Sequence, residues 1–190
     1  MLANAEIDGD TLSDKEIIAT AAFTLIAGFE TTANLLSVGM MHLLEDPSQL
    51  DLLRSKRDLL ANFIEESLRV SSPIQFVVRT SDSRLALGDI EVPAGKTIIL
   101  NLAGANRDPK VFSNPDRFEI QRENARKNVS FGFGAHHCIG ALLARVEAEV
   151  LFDELLNRFP KTENWIKTGE HRYRNGKLIR PLETLPMKLL

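Results

Sequence analysis

Cysteine is almost absent: Cys138 is the only one in 190 residues. That scarcity excludes an internal disulfide framework and is compatible with a reducing compartment. Neither sign of charge dominates, since 23 basic residues stand against 26 acidic ones for a formal net charge of -3. Nucleic-acid binders usually carry a marked basic excess, so no nucleic-acid partner is expected. Internal repeats and low-complexity segments are missing. The stretch from Met1 to Asp10 is polar and acidic, unlike a signal peptide. What is present is a 44% hydrophobic content, enough for a globular chain with a core.

The longest apolar run, Ile17 to Leu44, would reach across a bilayer, but Glu30 lies near its middle with Thr31, Thr32 and Asn34 beside it. An acid at the centre of a span costs roughly 2.5 kcal/mol or more on insertion scales. No Lys/Arg cluster follows the run. A long helix through the middle of a soluble protein is the better expectation, with no membrane span and burial on nearly all sides.

Ser13 and Glu16 form an S-x-x-E capping box that opens this helix. Asp46-Pro47 starts a second helix, and a third is expected from about Asp58 to Val70, ended by Ser71-Ser72-Pro73. Short β-prone runs follow at Ile74–Thr80, Leu85–Leu87, Ile90–Val92 and Thr97–Leu102, divided by Gly88-Asp89 and Pro93-Ala94-Gly95. Gly104 to Ser130 reads as a long meander, a length that usually has a job. Ile139 to Phe159 predicts an amphipathic helix with Ile139, Leu142, Leu143, Val146, Val150 and Leu151 on one face. Asn175-Gly176 suggests a hairpin turn. The fold class is mainly α with a small antiparallel β-sheet.

The chemistry concentrates in Phe131-Gly132-Phe133-Gly134-Ala135-His136-His137-Cys138-Ile139-Gly140. This glycine-punctuated loop delivers a cysteine to the start of a helix, where the dipole and unpaired N–H groups favour thiolate. Those N–H groups can also donate to a metal-bound sulfur. Gly140, Ala141 and Ala144 keep the following helix thin. Three other readings stand beside this one. Cys138 can be a small buried hydrophobe, part of a zinc site with His136 and His137, or a Cys/His nucleophile. No second ligand pair has zinc spacing, and adjacent residues rarely aim at each other.

The loop resembles the cytochrome P450 pattern F-G-x-G-x-H-x-C-x-G at all six fixed positions. At average residue usage a chance match is on the order of one in a million. The resemblance implies haem b as cofactor, with Cys138 as proximal thiolate and metal ligand, His136 at a haem propionate, Phe131 packed beside the sulfur and Gly140 close to the group. A thiolate ligand pushes electron density onto iron and favours O–O cleavage. Glu66 and Arg69 resemble the family's E-x-x-R pair, and Pro115-Asp116-Arg117-Phe118 resembles its P-x-R-F partner. Arg117 is therefore expected to complete a buried triad that braces the cysteine loop. Ala27-Gly28-Phe29-Glu30-Thr31-Thr32 resembles the distal-helix segment in which Glu30 and Thr31 form the catalytic acid–alcohol pair, with Gly28 leaving room for dioxygen. Arg79 stands where the family has a propionate-binding arginine. Ala27, Ile74, Phe76, Val77, Leu178 and Ile179 stand where it lines the substrate pocket. Arg122, Arg126, Lys127 and Arg145 flank the cysteine loop as a basic patch for an acidic electron donor, or as a solvated charged loop.

The resemblance spans residues 1–190 but only the C-terminal, haem-binding part of that fold, a partial domain whose N-terminal half is absent. The function implied is a monooxygenase, cytoplasmic like soluble bacterial members. It would insert one atom of dioxygen into a small apolar organic substrate. Electrons would come from a separate ferredoxin- or flavodoxin-type donor, because no flavin, nicotinamide or iron–sulfur motif is present. The rivals are an inactive truncated remnant and a haem-binding sensor or carrier without turnover.

Overall fold

The computed structural model describes residues 6, 7, 9–176 and 178–190. A two-residue ladder, β1 (Glu6–Ile7) with β2 (Asp10–Thr11), precedes the long helix α1 (Asp14–Glu45). The capping box forms as its sequence suggests. The Ser13 amide donates to the Glu16 carboxylate at 2.9 Å, and the Glu16 amide donates to the Ser13 hydroxyl at 3.4 Å. Asp46 then caps α2 (Pro47–Ser55), accepting from the Ser48 amide at 3.1 Å, with proline in the first helical position. A single 3-10 turn, Arg57–Leu59, leads into α3 (Leu60–Val70).

The chain turns to strands where β-branched residues and turn signals begin. β3 (Phe76–Thr80) pairs antiparallel with β6 (Thr97–Asn101), and the hairpin β4 (Leu85–Leu87)–β5 (Ile90–Val92) is inserted between them. Gly88 and Gly95 take φ of 58° and 75° at the two turns, a region that side chains rarely enter. A one-turn helix α4 (Leu102–Ala105) starts the meander, which runs to α5 (Ala141–Arg158). Two ladders close the chain: β7 (Trp165–Lys167) with β10 (Met187–Leu189), and β8 (Arg172–Tyr173) with β9 (Leu182–Thr184). Asn175 and Gly176 lie in the connection of the antiparallel β8–β9 hairpin, which is longer than a two-residue turn; Lys177 lies outside the described residues.

The core sits where the C-terminal half of α1 meets α2, α3 and α5. Leu43, Leu53, Phe63, Ile120, Phe152 and Leu156 are fully buried there. The Phe63 and Phe152 rings meet edge to face with centroids 4.7 Å apart. Close approach of α5 depends on small residues. Its buried face is Ala141, Ala144 and Ala148 followed by Phe152 and Leu156, and Phe152 presses on Gly39 of α1, where an added Cβ would come within 2.8 Å of the ring.

Two burial expectations are corrected. The apolar stripe of α5 exists but points away from this core: Leu142 is 74% exposed, and Ile139, Leu143, Val146 and Val150 are also exposed, while Leu151 is intermediate. The face that meets the core carries the alanines together with Phe152 and Leu156. Burial of α1 on all sides is likewise wrong. Its C-terminal half from Asn34 is inside, but Ile18, Phe23, Leu25, Ile26 and Phe29 in its N-terminal half are each about 70% exposed, since no described element lies over them. By length and composition alone α1 could cross a membrane.

His42, near the end of α1, is buried and stacks on Phe118 at a centroid distance of 4.3 Å. Its Nε2 and the Ser71 hydroxyl are 2.9 Å apart. Burial, reinforced by the positive charges of Arg107, His171 and Arg69, pushes its pKa down from 6.5 to about 4. A depressed pKa favours folding only while the ring is neutral. Stability is therefore complete above pH 6.5 and is lost as pH falls from 6.5 toward 4, where the unfolded chain takes up the proton first. A urea-unfolding series on the haem-loaded protein should show this loss, and His42→Phe should flatten it; an equal slope in both proteins would assign the loss elsewhere.

Candidate active site

The E-x-x-R pair lies at the centre of the molecule. Arg69 and Glu66 have no exposed side-chain surface and join through two parallel bonds, Nε to Oε2 at 2.7 Å and Nη2 to Oε1 at 2.8 Å. The other guanidinium hydrogens reach main-chain carbonyls of the meander: Asn106 at 3.0 Å, Pro115 at 2.7 Å and Arg117 at 2.9 Å. All five N–H groups of Arg69 are thus used. The third charged partner is not Arg117, whose side chain is exposed, but Arg122, whose Nε donates to Glu66 at 3.0 Å. Arg117 contributes its carbonyl, which accepts from both Arg69 and Arg122. The P-x-R-F segment does hold the meander, through Phe118 on His42 and through backbone.

This correction also removes Arg122 from the basic surface expected around the cysteine loop. Arg145 leaves it as well: it bonds to Glu65 at 2.6 Å and lies 4.5 Å over the Phe131 ring. Arg126 and Lys127 remain exposed. The meander reaches the cysteine loop through two buried side chains. Asn106 accepts from the Val129 amide at 2.8 Å and donates to the Ser130 hydroxyl at 2.8 Å, and Ser130 donates to the Leu68 carbonyl. Neither stood out in the sequence; the one available signal was that Ser130 directly precedes the loop.

The loop itself is built by its glycines. Gly132 and Gly134 have φ of 72° and 74°, so the chain doubles back and the Cys138 amide donates to the Phe131 carbonyl at 2.9 Å. A 3-10 turn at Gly134–His136 follows the first bend. Cys138 is exposed and sits two residues before the cap residue of α5, Gly140. A Cβ on Gly140 would meet only the Cys138 sulfur, at 3.9 Å. Among the described residues no three His, Cys, Asp or Glu side chains gather to hold a metal, which disfavours the zinc reading.

Cys138 opens onto a cleft of about 570 Å³ between α1 and the cysteine loop. Ala27 and Thr31 face it from α1, Ile74, Val77 and Arg79 from the β3 side, and Phe131 and His136 from the loop; Ile179 reaches it from the β8–β9 connection. Most of the site residues expected from sequence thus meet in one place. Phe76 does not, because alternate residues of a strand face opposite sides and Val77 and Arg79 take the inner one. Leu178 is displaced in the same sense by its neighbour Ile179 and is 47% exposed. Gly28, Glu30 and Gly140 do not line the cleft. Glu30 is ion-paired with Arg174, while the Thr31 hydroxyl donates to the Ala27 carbonyl.

The donor set fits a flat apolar macrocycle bearing carboxylates. There is one sulfur for the metal, apolar walls at Ala27, Val77 and Phe131, and Arg79 and His136 to receive anionic groups. Cleft, thiol loop and buried E-x-x-R core together match what the sequence resemblance implies for a haem-thiolate type of site. The protein-family model for cytochrome P450 matches residues 52–164. The chain belongs to the cytochrome P450 family.

Cytochrome P450 107B1 of Saccharopolyspora erythraea is 42% identical over 188 residues, which is 98% of this chain and 46% of that protein. Among solved structures, P450BioI in complex with a hexadec-9Z-enoic acid-ligated acyl carrier protein superposes with a TM-score of 0.90 at 39% identity, over 96% of this chain and 47% of the other. CYP109E1 from Bacillus megaterium in complex with testosterone gives 0.91 at 33% identity, over 99% and 52%. The chain spans about half the length of the relatives it matches.

Proposed function

We propose that this chain is the haem-binding half of a cytoplasmic haem-thiolate monooxygenase that inserts one atom of dioxygen into an apolar organic substrate. The observation that carries this reading is the placement of Cys138 and Thr31 on one apolar cleft. Bound there, haem supplies the activation of dioxygen. Cys138 holds the group from the loop side, and Arg79 and His136 bind its carboxylates. Thr31 donates its one hydroxyl proton to the Ala27 carbonyl, so its Oγ1 offers lone pairs to the cleft and passes a proton on only when the hydroxyl turns away from Ala27. Glu30, one residue earlier, is held as a carboxylate by Arg174 outside the cleft, so it can take a proton from solvent and relay it toward Thr31 only when that pair opens. Apolar walls exclude water and favour an apolar substrate; the fatty acyl chain held by P450BioI and the steroid held by CYP109E1 support that class. Electrons come from a separate ferredoxin- or flavodoxin-type protein.

The ligation test is spectroscopic. The ferrous–CO form of the haem-loaded protein should show the red-shifted Soret band of thiolate ligation, and Cys138→Ser should remove it completely. A band that persists in the serine variant would refute the assignment. A haem sensor or carrier would pass this test yet form no oxygenated product when given an electron donor.

A further inference from the structure

Asn34 lies on α1 almost one turn beyond Thr31 and is 3% exposed. A buried amide needs partners for both its carbonyl and its NH2, since an unmet group bears the full cost of desolvation. Asn34 finds them far along the chain. Its Nδ2 donates to the Arg180 carbonyl at 3.2 Å, and its Oδ1 accepts from the Leu182 amide at 3.3 Å. The orientation is unambiguous, because a carbonyl only accepts and an amide N–H only donates. The same segment is tied on its other side to the start of the central ladder. Gln75 donates to the Leu178 carbonyl at 2.9 Å, Arg180 donates to the Pro73 carbonyl at 3.3 Å, and Ile74 and Ile179 form a β-bridge. Ile179, between these two anchors, lines the cleft that Cys138 opens onto.

We propose that Asn34 is a positioning residue for the substrate-facing wall. Its amide clamps the Arg180–Leu182 backbone to α1 and so sets how far Ile179 reaches into the cleft. Residue chemistry restricts the role: aspartate cannot donate to the Arg180 carbonyl, leucine fills the volume with no polar atom, and serine is too short for both partners. The Glu30–Arg174 pair also joins this connection to α1, but it is partly exposed and screened by water. Asn34 is the buried tie. Because it and Thr31 share one helix, the wall that selects substrate and the hydroxyl that handles protons are held in a common frame.

What the cleft holds rests on the haem-thiolate reading; the clamp itself does not. Two measurements separate them. In the protein completed by the N-terminal half of a relative, with or without haem, Asn34→Ala should speed hydrogen exchange at the Leu182 and Gln75 amides about tenfold while the α3 amides keep their protection. Asn34→Leu, which fills the volume but offers the Leu182 amide no acceptor and the Arg180 carbonyl no donor, covers the case in which the alanine variant does not fold, and it should speed the same two amides. In the haem-loaded protein, the ratio of dissociation constants for imidazole and 4-phenylimidazole, read from the haem absorption, should shift about fivefold in Asn34→Ala and less than about twofold when Ile179→Ala is already present. Unchanged exchange at Leu182 and Gln75 overturns the clamp. A full ratio shift in the absence of the Ile179 side chain overturns the route through Ile179. A wild-type protein whose absorption does not respond to imidazole refutes the haem reading, and the exchange result then still decides the clamp.

Discussion

Arg69→Ala should abolish soluble, haem-loaded protein, and Arg69→Lys should do nearly the same. Removing one member of a buried ion pair costs about 3–5 kcal/mol, because the partner is left charged and unpaired. Here Glu66 would lose two of its bonds at no exposed surface, and the carbonyls of Asn106, Pro115 and Arg117 would lose their donor together. That loss is comparable to the whole stability of an ordinary domain, about 5–15 kcal/mol. Lysine offers a point charge with three donors and cannot reproduce the planar fork. The informative contrast is between the two candidate third arginines. Arg122→Ala should cripple the protein, since its guanidinium is buried against Glu66 and the carbonyls of Ser113, Asn114 and Arg117. Arg117→Ala should stay within about 0.5 kcal/mol of wild type, because only its backbone is used. Soluble yield and haem content of the four variants check this, and a severe Arg117→Ala defect would contradict the assignment.

The second large effect concerns the 190 residues on their own. Expressed alone and mixed with hemin, they are expected to self-associate and to hold haem loosely. The exposed side chains Phe23, Leu25, Ile26 and Phe29 on α1, and Leu142, Leu143 and Val150 on α5, form apolar surface on two helices. Each would gain roughly 1.5–3 kcal/mol from burial. A soluble monomer rarely leaves more than a few hundred Å² of such surface in one patch. Relatives about twice as long have chain available to cover it. Supplying the N-terminal half of a relative in trans should therefore reduce self-association and tighten haem. Size-exclusion chromatography, binding of an apolar dye and haem titration are the measurements. A monodisperse lone chain with a cooperative melt and one tightly held haem would show the surface to be harmless.

Sequence signals are reliable where the physics is local. The capping box at Ser13 and Glu16, the proline start of α2 and the two short strands Leu85–Leu87 and Ile90–Val92 all form at their expected positions. The cysteine loop was legible because its glycines answer a backbone demand, and Gly132 and Gly134 do take positive φ. Choices settled by tertiary contact were not. Nothing local distinguishes Arg117 from Arg122 as the partner of Glu66, because the meander's path decides which guanidinium arrives. The stripe on α5 was visible, but a stripe does not say which neighbour covers it, and the side carrying the alanines with Phe152 and Leu156 faces the core instead. Asn34 had no signature at all, since its partners lie about 150 residues later and are backbone.

Gly39 has a mechanical consequence. It is where α1 rests on Phe152 of α5, with no room for even one more carbon atom. Thr31 stands eight residues up the same helix, about 12 Å away at 1.5 Å rise per residue. The contact is thus a fulcrum: a shim of one methyl group there would tilt α1 as a lever and move Thr31 relative to Cys138. Clearance above the thiol is gauged from outside the cleft, at a position that does not line it.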